Sequence, residues 1–352
     1  MFRSLTIKAS LLVLLLFVFS ILLPNIRLST DIKYTESYSN ENTVNILPEL
    51  NTRMDNISRF DEIYAWIPHF DFQRGLQSAI SNRSKLQQVH LSGASIDANG
   101  DVVYSSNFNL NLNTINQNNL SFGINIISVN PSNTSIFLSK SQDKLFTEIR
   151  EYKKLTNFKS VNLNIENLSS ADSKNFLNFL KEFRTFLNSL NLKLFVTLYP
   201  ISINSSSGYT SDSLGGYREI IQYTDFLVIM FYDSHRFTKI PGSSPLDWYK
   251  KGVDLLSNEV GDWEKVIVGL PLFGYGFNNS GGIIGSYVYT QIQNIAKSPS
   301  INSNSEMTYK RGEEIIYFQD SNSLKIRKQY AKDKLINKFF YWRLGGESGL
   351  EL

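Results

Sequence analysis

Residues 160–167 read SVNLNIEN. Val161, Leu163 and Ile165 alternate with Ser160, Asn162 and Asn164, the two-residue period of a β-strand. A single carboxylate, Glu166, closes the stretch on the same face as Asn164. Directly after it, Ser170 is placed to cap SADSKNFLNFLKEFRTFLNSL, in which Phe and Leu recur at three- and four-residue steps, the spacing of a helix. A strand ending in a polar group and handing on to a helix is the unit from which the rest of the chain can be read.

Outward from this unit the pattern repeats. EIYAWIP (62–68) reads as a strand and 73–81 as a helix. KLQQVHLSGAS (85–95) and DVVYSS (101–106) flank the turn signal DANG (97–100), a hairpin extension. FGINIISV (122–129) is a strand and 140–156 has helical spacing. KLFVTLYP (193–200), DFLVIMFYD (225–233), KVIVGLPLFG (265–274) and KFFYWRLGG (338–346) are further apolar runs rich in β-formers, with helical stretches between most of them. About eight strands alternating with helices predict a parallel α/β architecture, and a series of this length suits a (β/α)8 TIM-type barrel. The competitor, a doubly wound sheet, lacks a glycine-rich phosphate loop after the first strand. Residues 275–320 are too long for one connection. A short helix near 287–296 and the strand-like YKRGEEIIYFQD mark them as a small α+β insertion before the last strand, after which no full helix follows.

The chain has 352 residues and a net charge of +3 spread without a long basic run, which argues against nucleic acid as a partner. It has no cysteine, so neither disulfides nor thiolate metal sites arise. Its 3 histidines, His69, His90 and His235, lack metal-site spacing, and no cofactor is expected. At the N-terminus, Arg3 and Lys8 precede ASLLVLLLFVFSILL (9–23), the cation-then-apolar order of a signal peptide or an uncleaved anchor. The run lacks a small-x-small cleavage site, which favours an anchor with the barrel on the extracytoplasmic side, while a cleaved signal would give a secreted protein. The expected organisation is a membrane segment over 1–27, a polar linker over 28–60 and a barrel over 61–352.

In barrels of this kind the chemistry gathers where strands end. Those positions are Trp66 and Asp71, Glu166, Tyr199, Tyr232 and Asp233, Tyr275, and Trp342, Arg343 and Glu347. Aromatics beside a few carboxylates suit sugar rings, although any one of these aromatics could equally be core. The segments resemble glycoside hydrolase family 18, the chitinase-like barrels, and most of all its bacterial spore-germination and cortex-hydrolase branch. SVNLNIENL resembles the strand-four signature Asp-x-x-Asp-x-Asp-x-Glu, and DFLVIMFYD the Met-x-Tyr-Asp motif. KVIVGLPLFGYGF resembles the Gly-x-Pro-x-(aromatic)-Gly block, and the stretch from IIYFQD to YWRLGGE the last helix and strand.

The resemblance implies substrate-assisted catalysis on a glycan containing N-acetylglucosamine, peptidoglycan first and chitin-type oligomers next. In that scheme the substrate's own 2-acetamido oxygen attacks the anomeric carbon. Glu166 matches the general acid, Tyr232 the tyrosine on the acetamide carbonyl, Asp233 the polar group beside it, and Trp342 the aromatic floor. Tyr199, Trp66 and Arg343 complete the expected substrate-binding set. The sequence departs from the pattern where the three signature aspartates map onto Lys159, Asn162 and Asn164. Asn164 keeps hydrogen-bonding capacity without charge. Two readings follow, an active hydrolase and a glycan-binding barrel with little or no turnover. A structural role on the same fold is a third.

Overall fold

In the computed structural model, which describes residues 60–166, 168–200 and 216–352, strands and helices alternate as expected. β1 (Glu62–Pro68) leads to α1 (Phe72–Ser81), β2 (Leu86–Ile96), β3 (Val102–Tyr104), α2 (Phe108–Gln117) and β4 (Phe122–Ser128). Then come α3 (Pro131–Ser139), α4 (Asp143–Leu155), β5 (Ser160–Ile165), α5 (Ser173–Ser189) and β6 (Lys193–Leu198). The chain continues through α6 (Tyr217–Ile220), β7 (Phe226–Met230), α7 (His235–Thr238), α8 (Leu246–Glu259) and β8 (Val266–Pro271). A second sheet contains β9 (Phe273–Phe277), β10 (Ile283–Val288), β11 (Ser300–Ile301), β12 (Met307–Arg311) and β13 (Glu314–Phe318), with α9 (Tyr289–Ile295) after β10. α10 (Ser321–Lys332) and β14 (Lys338–Trp342) follow.

β1, β2, β4, β5, β6, β7, β8 and β14 pair in parallel, and β1 bonds both β14 and β2, so the sheet closes into the expected barrel. β3 pairs antiparallel with β2 as the hairpin extension. Two differences from the sequence reading have local causes. The run 265–274 breaks at Leu272, whose N–H donates to the Trp342 carbonyl at 2.6 Å. The insertion therefore starts at Phe273 rather than near 275. α3 was not expected, although Asn130 caps it by accepting from Ser132 N at 2.9 Å, with Pro131 in its first turn. The expected membrane segment and all of the linker except Phe60 lie outside the described residues. Among the described residues, no helix is long and apolar enough to cross a membrane.

Both faces of β5 are buried. Val161, Leu163 and Ile165 face outward into the core beneath the helices. That core includes Phe176, Phe179, Phe183 and Phe186 along one stripe of α5, with Phe186 stacked on Phe146 of α4 at 4.3 Å. Ser160, Asn162 and Asn164 face the barrel interior. There Ser160 donates to Gln88 Oε1 at 2.6 Å and Asn162 Nδ2 to Asn125 Oδ1 at 2.6 Å, while Asn162 Oδ1 accepts from Thr197 at 2.8 Å. Asn125 in turn donates to Ser92 at 2.8 Å. His90 closes the group against Gln88, and burial lowers its pKa to about 3, so it stays neutral. This half of the interior is thus a chain of uncharged hydrogen-bonding groups. The other half is apolar, built from Tyr64, Trp66, Phe195, Val228, Ile267 and Phe340. A carboxylate at Asn162 would meet the carbonyl oxygen of Asn125 with no cation in the network, so an amide is the economical choice there.

Candidate active site

The strand ends bring two carboxylates, one cation and several aromatics together. Glu166 lies one residue past β5, its N–H still donating to the Ser128 carbonyl at 2.9 Å. Asn164 Nδ2 donates to Glu166 Oε1 at 3.3 Å, and the Tyr199 hydroxyl donates to Glu166 Oε2 at 3.1 Å. Asn164 Oδ1 is buried and has no hydrogen-bond partner among the described residues. Burial pushes the Glu166 pKa up, helped by the nearby charge of Asp233. Tyr199, Arg236 and Asn164 oppose that rise without cancelling it.

Asp233 sits just beyond β7 with a left-handed backbone, φ 60°, a conformation that short polar side chains tolerate. Its carboxylate accepts from the Tyr275 hydroxyl at 2.6 Å and lies 3.4 Å from that of Tyr199. Tyr199 has one proton and two acceptors in reach, Glu166 and Asp233, so it couples the two carboxylates. Burial and these negative neighbours raise the pKa of Tyr199, Tyr232 and Tyr275, which therefore remain proton donors. Tyr232 packs edge-on to Phe273 at 5.8 Å, in a cluster with Met230, Tyr199, Tyr275 and Trp342. Gly269 makes room for it: a Cβ there would lie 3.0 Å from the Ile229 carbonyl and 3.4 Å from the Tyr232 ring. Trp342 is half-buried at the end of β14.

Of the expected residues, Glu166, Asn164, Tyr199, Tyr232, Asp233 and Trp342 share this mouth. Trp66 does not fit its expected role as a sugar platform. It is 1% exposed and stacks on Phe340 at 3.6 Å, with Trp342 edge-on at 5.7 Å. The two-residue period puts Trp66 on the interior face but says nothing of how far neighbouring rings cover it, and Phe340 and Trp342 close over it. Arg343 also departs from its expected role. Its Nη1 donates to Asp71 at 2.6 Å, its guanidinium covers the Phe70 ring at 5.0 Å, and its side chain is only 13% exposed. Burial acts to raise the Asp71 pKa, but hydrogen bonds from Arg74 and Arg343 outweigh it and hold Asp71 below the ordinary carboxylate range. Glu347 is buried and structural, accepting from the backbone of Gly345 and Gly346 and from Ser78.

Sequence reasoning missed Arg236. Its Nε lies 3.6 Å from Asp233, its Nη1 4.0 Å from Glu166, and its guanidinium 5.4 Å from the Tyr199 ring centre. The available signal was its place one helical turn after Asp233. The loop carrying it is clamped from the insertion. Glu306 Oε1 accepts from Ser243 N, Ser244 N and Gln319 Nε2 at 2.9, 2.8 and 3.0 Å. Buried Arg327 donates to the carbonyls of Ser244, Ser305 and Ser323 at 3.0, 3.1 and 2.8 Å. Ser244 donates to the Phe231 carbonyl at 2.7 Å and Ser234 to that of Gly242 at 3.4 Å, tying the clamp to the turn at Asp233.

Known proteins resemble this chain in sequence or in fold. The Bacillus subtilis protein YvbX, named as an uncharacterized glycosylase, is 23% identical over 226 residues, spanning 60% of this chain and 65% of that protein. The spore cortex-lytic enzyme SleL of Bacillus megaterium QM B1551 superposes with a TM-score of 0.69 at 18% identity, covering 82% of this chain and 71% of that one. The chitinase-like agglutinin RobpsCRA of Robinia pseudoacacia gives a TM-score of 0.66 at 17% identity, covering 81% and 95%. At such identities the structural likeness speaks for the fold alone. The model of glycosyl hydrolases family 18 matches residues 74–347, a stretch that takes in Glu166, Tyr199, Asp233 and Trp342 and most of the barrel. On that match the chain belongs to glycosyl hydrolase family 18.

Proposed function

We propose that the protein hydrolyses a glycan containing N-acetylglucosamine, with peptidoglycan as the first target and chitin-type oligomers next, on the extracytoplasmic side of a membrane. The observation that carries this reading is the pair Asn164–Glu166. A carboxyl whose pKa is raised chiefly by burial stands beside a buried amide oxygen that lacks a partner among the described residues. Glu166 is the general acid. It gives its proton to the leaving glycosidic oxygen as the acetamide carbonyl oxygen attacks the anomeric carbon and the glycosidic bond breaks. Asn164 donates to Glu166 with its NH2 and keeps Oδ1 free to accept the acetamide N–H. The phenol of Tyr232 is a donor for the acetamide oxygen, and Trp342 is the apolar floor. Water then opens the cyclic intermediate, with the Glu166 carboxylate taking the proton back. The test is release of reducing ends from a chito-oligomer and from a cell-wall preparation, with Glu166→Gln as control. Cleavage by wild type that disappears in the variant supports the reading, and equal cleavage by both would overturn it.

A second reading is supported by the lost charge at Asn164. An amide stabilises a cationic intermediate less than a carboxylate does. Affinity for both oligomers without any cleavage would establish a glycan-binding barrel instead.

A further inference from the structure

Arg236 has no part in the chemistry above. It stands at the mouth with its side chain 48% exposed, while the carboxylates beside it are 13% and 9% exposed. Its separations of 4.0 Å from Glu166 and 3.6 Å from Asp233 are both longer than a hydrogen bond. The Asp233 carboxylate is already served by Tyr275 at 2.6 Å, and Glu166 by Tyr199 and Asn164. The guanidinium is instead propped on the face of the Tyr199 ring, 5.4 Å from its centre. A planar cation held by stacking, beside carboxylates satisfied by other donors, keeps its forked N–H groups for an anion arriving from solvent. A neutral sugar needs no such group. A simple counter-charge to Glu166 would gain more by closing to hydrogen-bond distance.

We propose that Arg236 is a specificity-determining residue that binds a carboxylate carried on the substrate. It thereby selects an acidic amino-sugar glycan, in which the N-acetylhexosamine alternates with a sugar bearing a carboxyl-terminated ether, over the uncharged chitin type. This deepens the proposed function and rests on it. The acid end of the site faces Arg236, so the sugar bound there or next to it presents its acidic substituent within reach. Binding adds a substrate anion to the same cation that Glu166 and Asp233 already share, without needing either to leave its tyrosine.

The test compares two oligomers of equal length, a peptidoglycan-derived glycan with free lactyl carboxyls and a chito-oligomer, binding to the Glu166→Gln protein by calorimetry. Arg236→Ala and Arg236→Lys are then introduced into that background. One charge-assisted pair is worth roughly 10–100-fold in affinity. Arg236→Ala is expected to lose that factor for the acidic glycan, with less than about threefold change for the chito-oligomer. Arg236→Lys should restore the charge but not the fork, so recovery is partial. Reducing the lactyl carboxyls to alcohols should abolish the wild-type preference. Equal losses on both glycans, or no wild-type preference, would overturn the assignment of Arg236 while leaving the glycan reading intact. Failure of both glycans to bind would overturn the glycan reading together with the assignment of Arg236.

Discussion

Glu166 carries opposite consequences for activity and for stability. General acid catalysis contributes roughly 10²–10⁴-fold, so Glu166→Gln should lower turnover by that factor with little change in affinity, measured by initial rates and calorimetry. Its raised pKa also fixes a sign for stability. Below the ordinary glutamate value of 4.5 both folded and unfolded chains hold the proton, and the residue is neutral in its effect. As pH rises through the interval between that value and the raised one, the folded chain keeps the proton longer, so stability falls and stays lower above it. Glu166→Gln should therefore melt higher than wild type at neutral pH, with the difference closing in acid; a constant difference across pH would refute this. Asn164→Asp tests the neighbouring position. The new carboxylate would stand where Asn164 now donates at 3.3 Å to Glu166 and leaves Oδ1 without a partner among the described residues. Repulsion should raise the Glu166 pKa further and extend activity toward higher pH, and the charge should raise turnover through the cationic intermediate. The cost is a buried charge among amides, read as a lower melting temperature. Glu166 and Asn164 were legible because the period of β5 places them, and Asp233 because it closes the apolar run 225–233, whereas Arg236 sits on a short helix that no period announces. Trp66 was misread because alternation gives the face of a strand and not whether neighbouring rings cover the side chain.

At the scale of elements, the insertion does more than decorate the barrel. It supplies Glu306, which holds the backbone of Ser243 and Ser244, and so fixes the loop between β7 and α8 that presents Asp233 and Arg236. Burial raises the Glu306 pKa against four opposing neighbours, and burial lowers that of Arg327 to about 10. Removing the Glu306 carboxylate leaves the buried N–H groups of Ser243 and Ser244 without their acceptor, a cost of about 1–3 kcal/mol for each. Glu306→Ala should lose about that much in urea unfolding and weaken glycan affinity despite its distance from the sugar. Glu306→Gln keeps an acceptor for both N–H groups and should lose less in each measurement. Affinity unchanged in a folded Glu306→Ala protein would separate the clamp from the site. The insertion itself was legible in the length of 275–320 and in YKRGEEIIYFQD. Its start was not, because KVIVGLPLFG is one apolar run in which only the contact of Leu272 with Trp342 marks the passage from one sheet to the other.

For the whole molecule, the decisive contact joins the two ends of the barrel. β1 pairs with β14 in the register Glu62↔Lys338 to Ala65↔Tyr341, and with β2 on its other side. Lys338 meets Glu62 at 3.2 Å, and Asp61 is flanked by Lys328 at 3.3 Å and by Lys332. The number of strands and the barrel were legible from the alternation of apolar runs, but the register of the closing pair was not, since nothing in EIYAWIP names its partners. The strand also buries Trp66 inside the barrel and Ile63, Ala65 and Ile67 in the core beneath the helices. Burying side chains of the larger kinds among these is worth about 1.5–3 kcal/mol each, and the loss of β1 would expose two strand edges besides. A fragment of residues 60–352 should therefore unfold in one cooperative transition and remain in the supernatant after centrifugation. A fragment of residues 72–352 should collect as aggregate. The full chain, with ASLLVLLLFVFSILL at 9–23, should sediment with membranes and be released by detergent but not by salt or carbonate. A soluble full chain whose N-terminus starts beyond residue 24 would replace the anchor with a cleaved signal. Membrane association by residues 60–352 alone would move the attachment from that apolar run to the barrel.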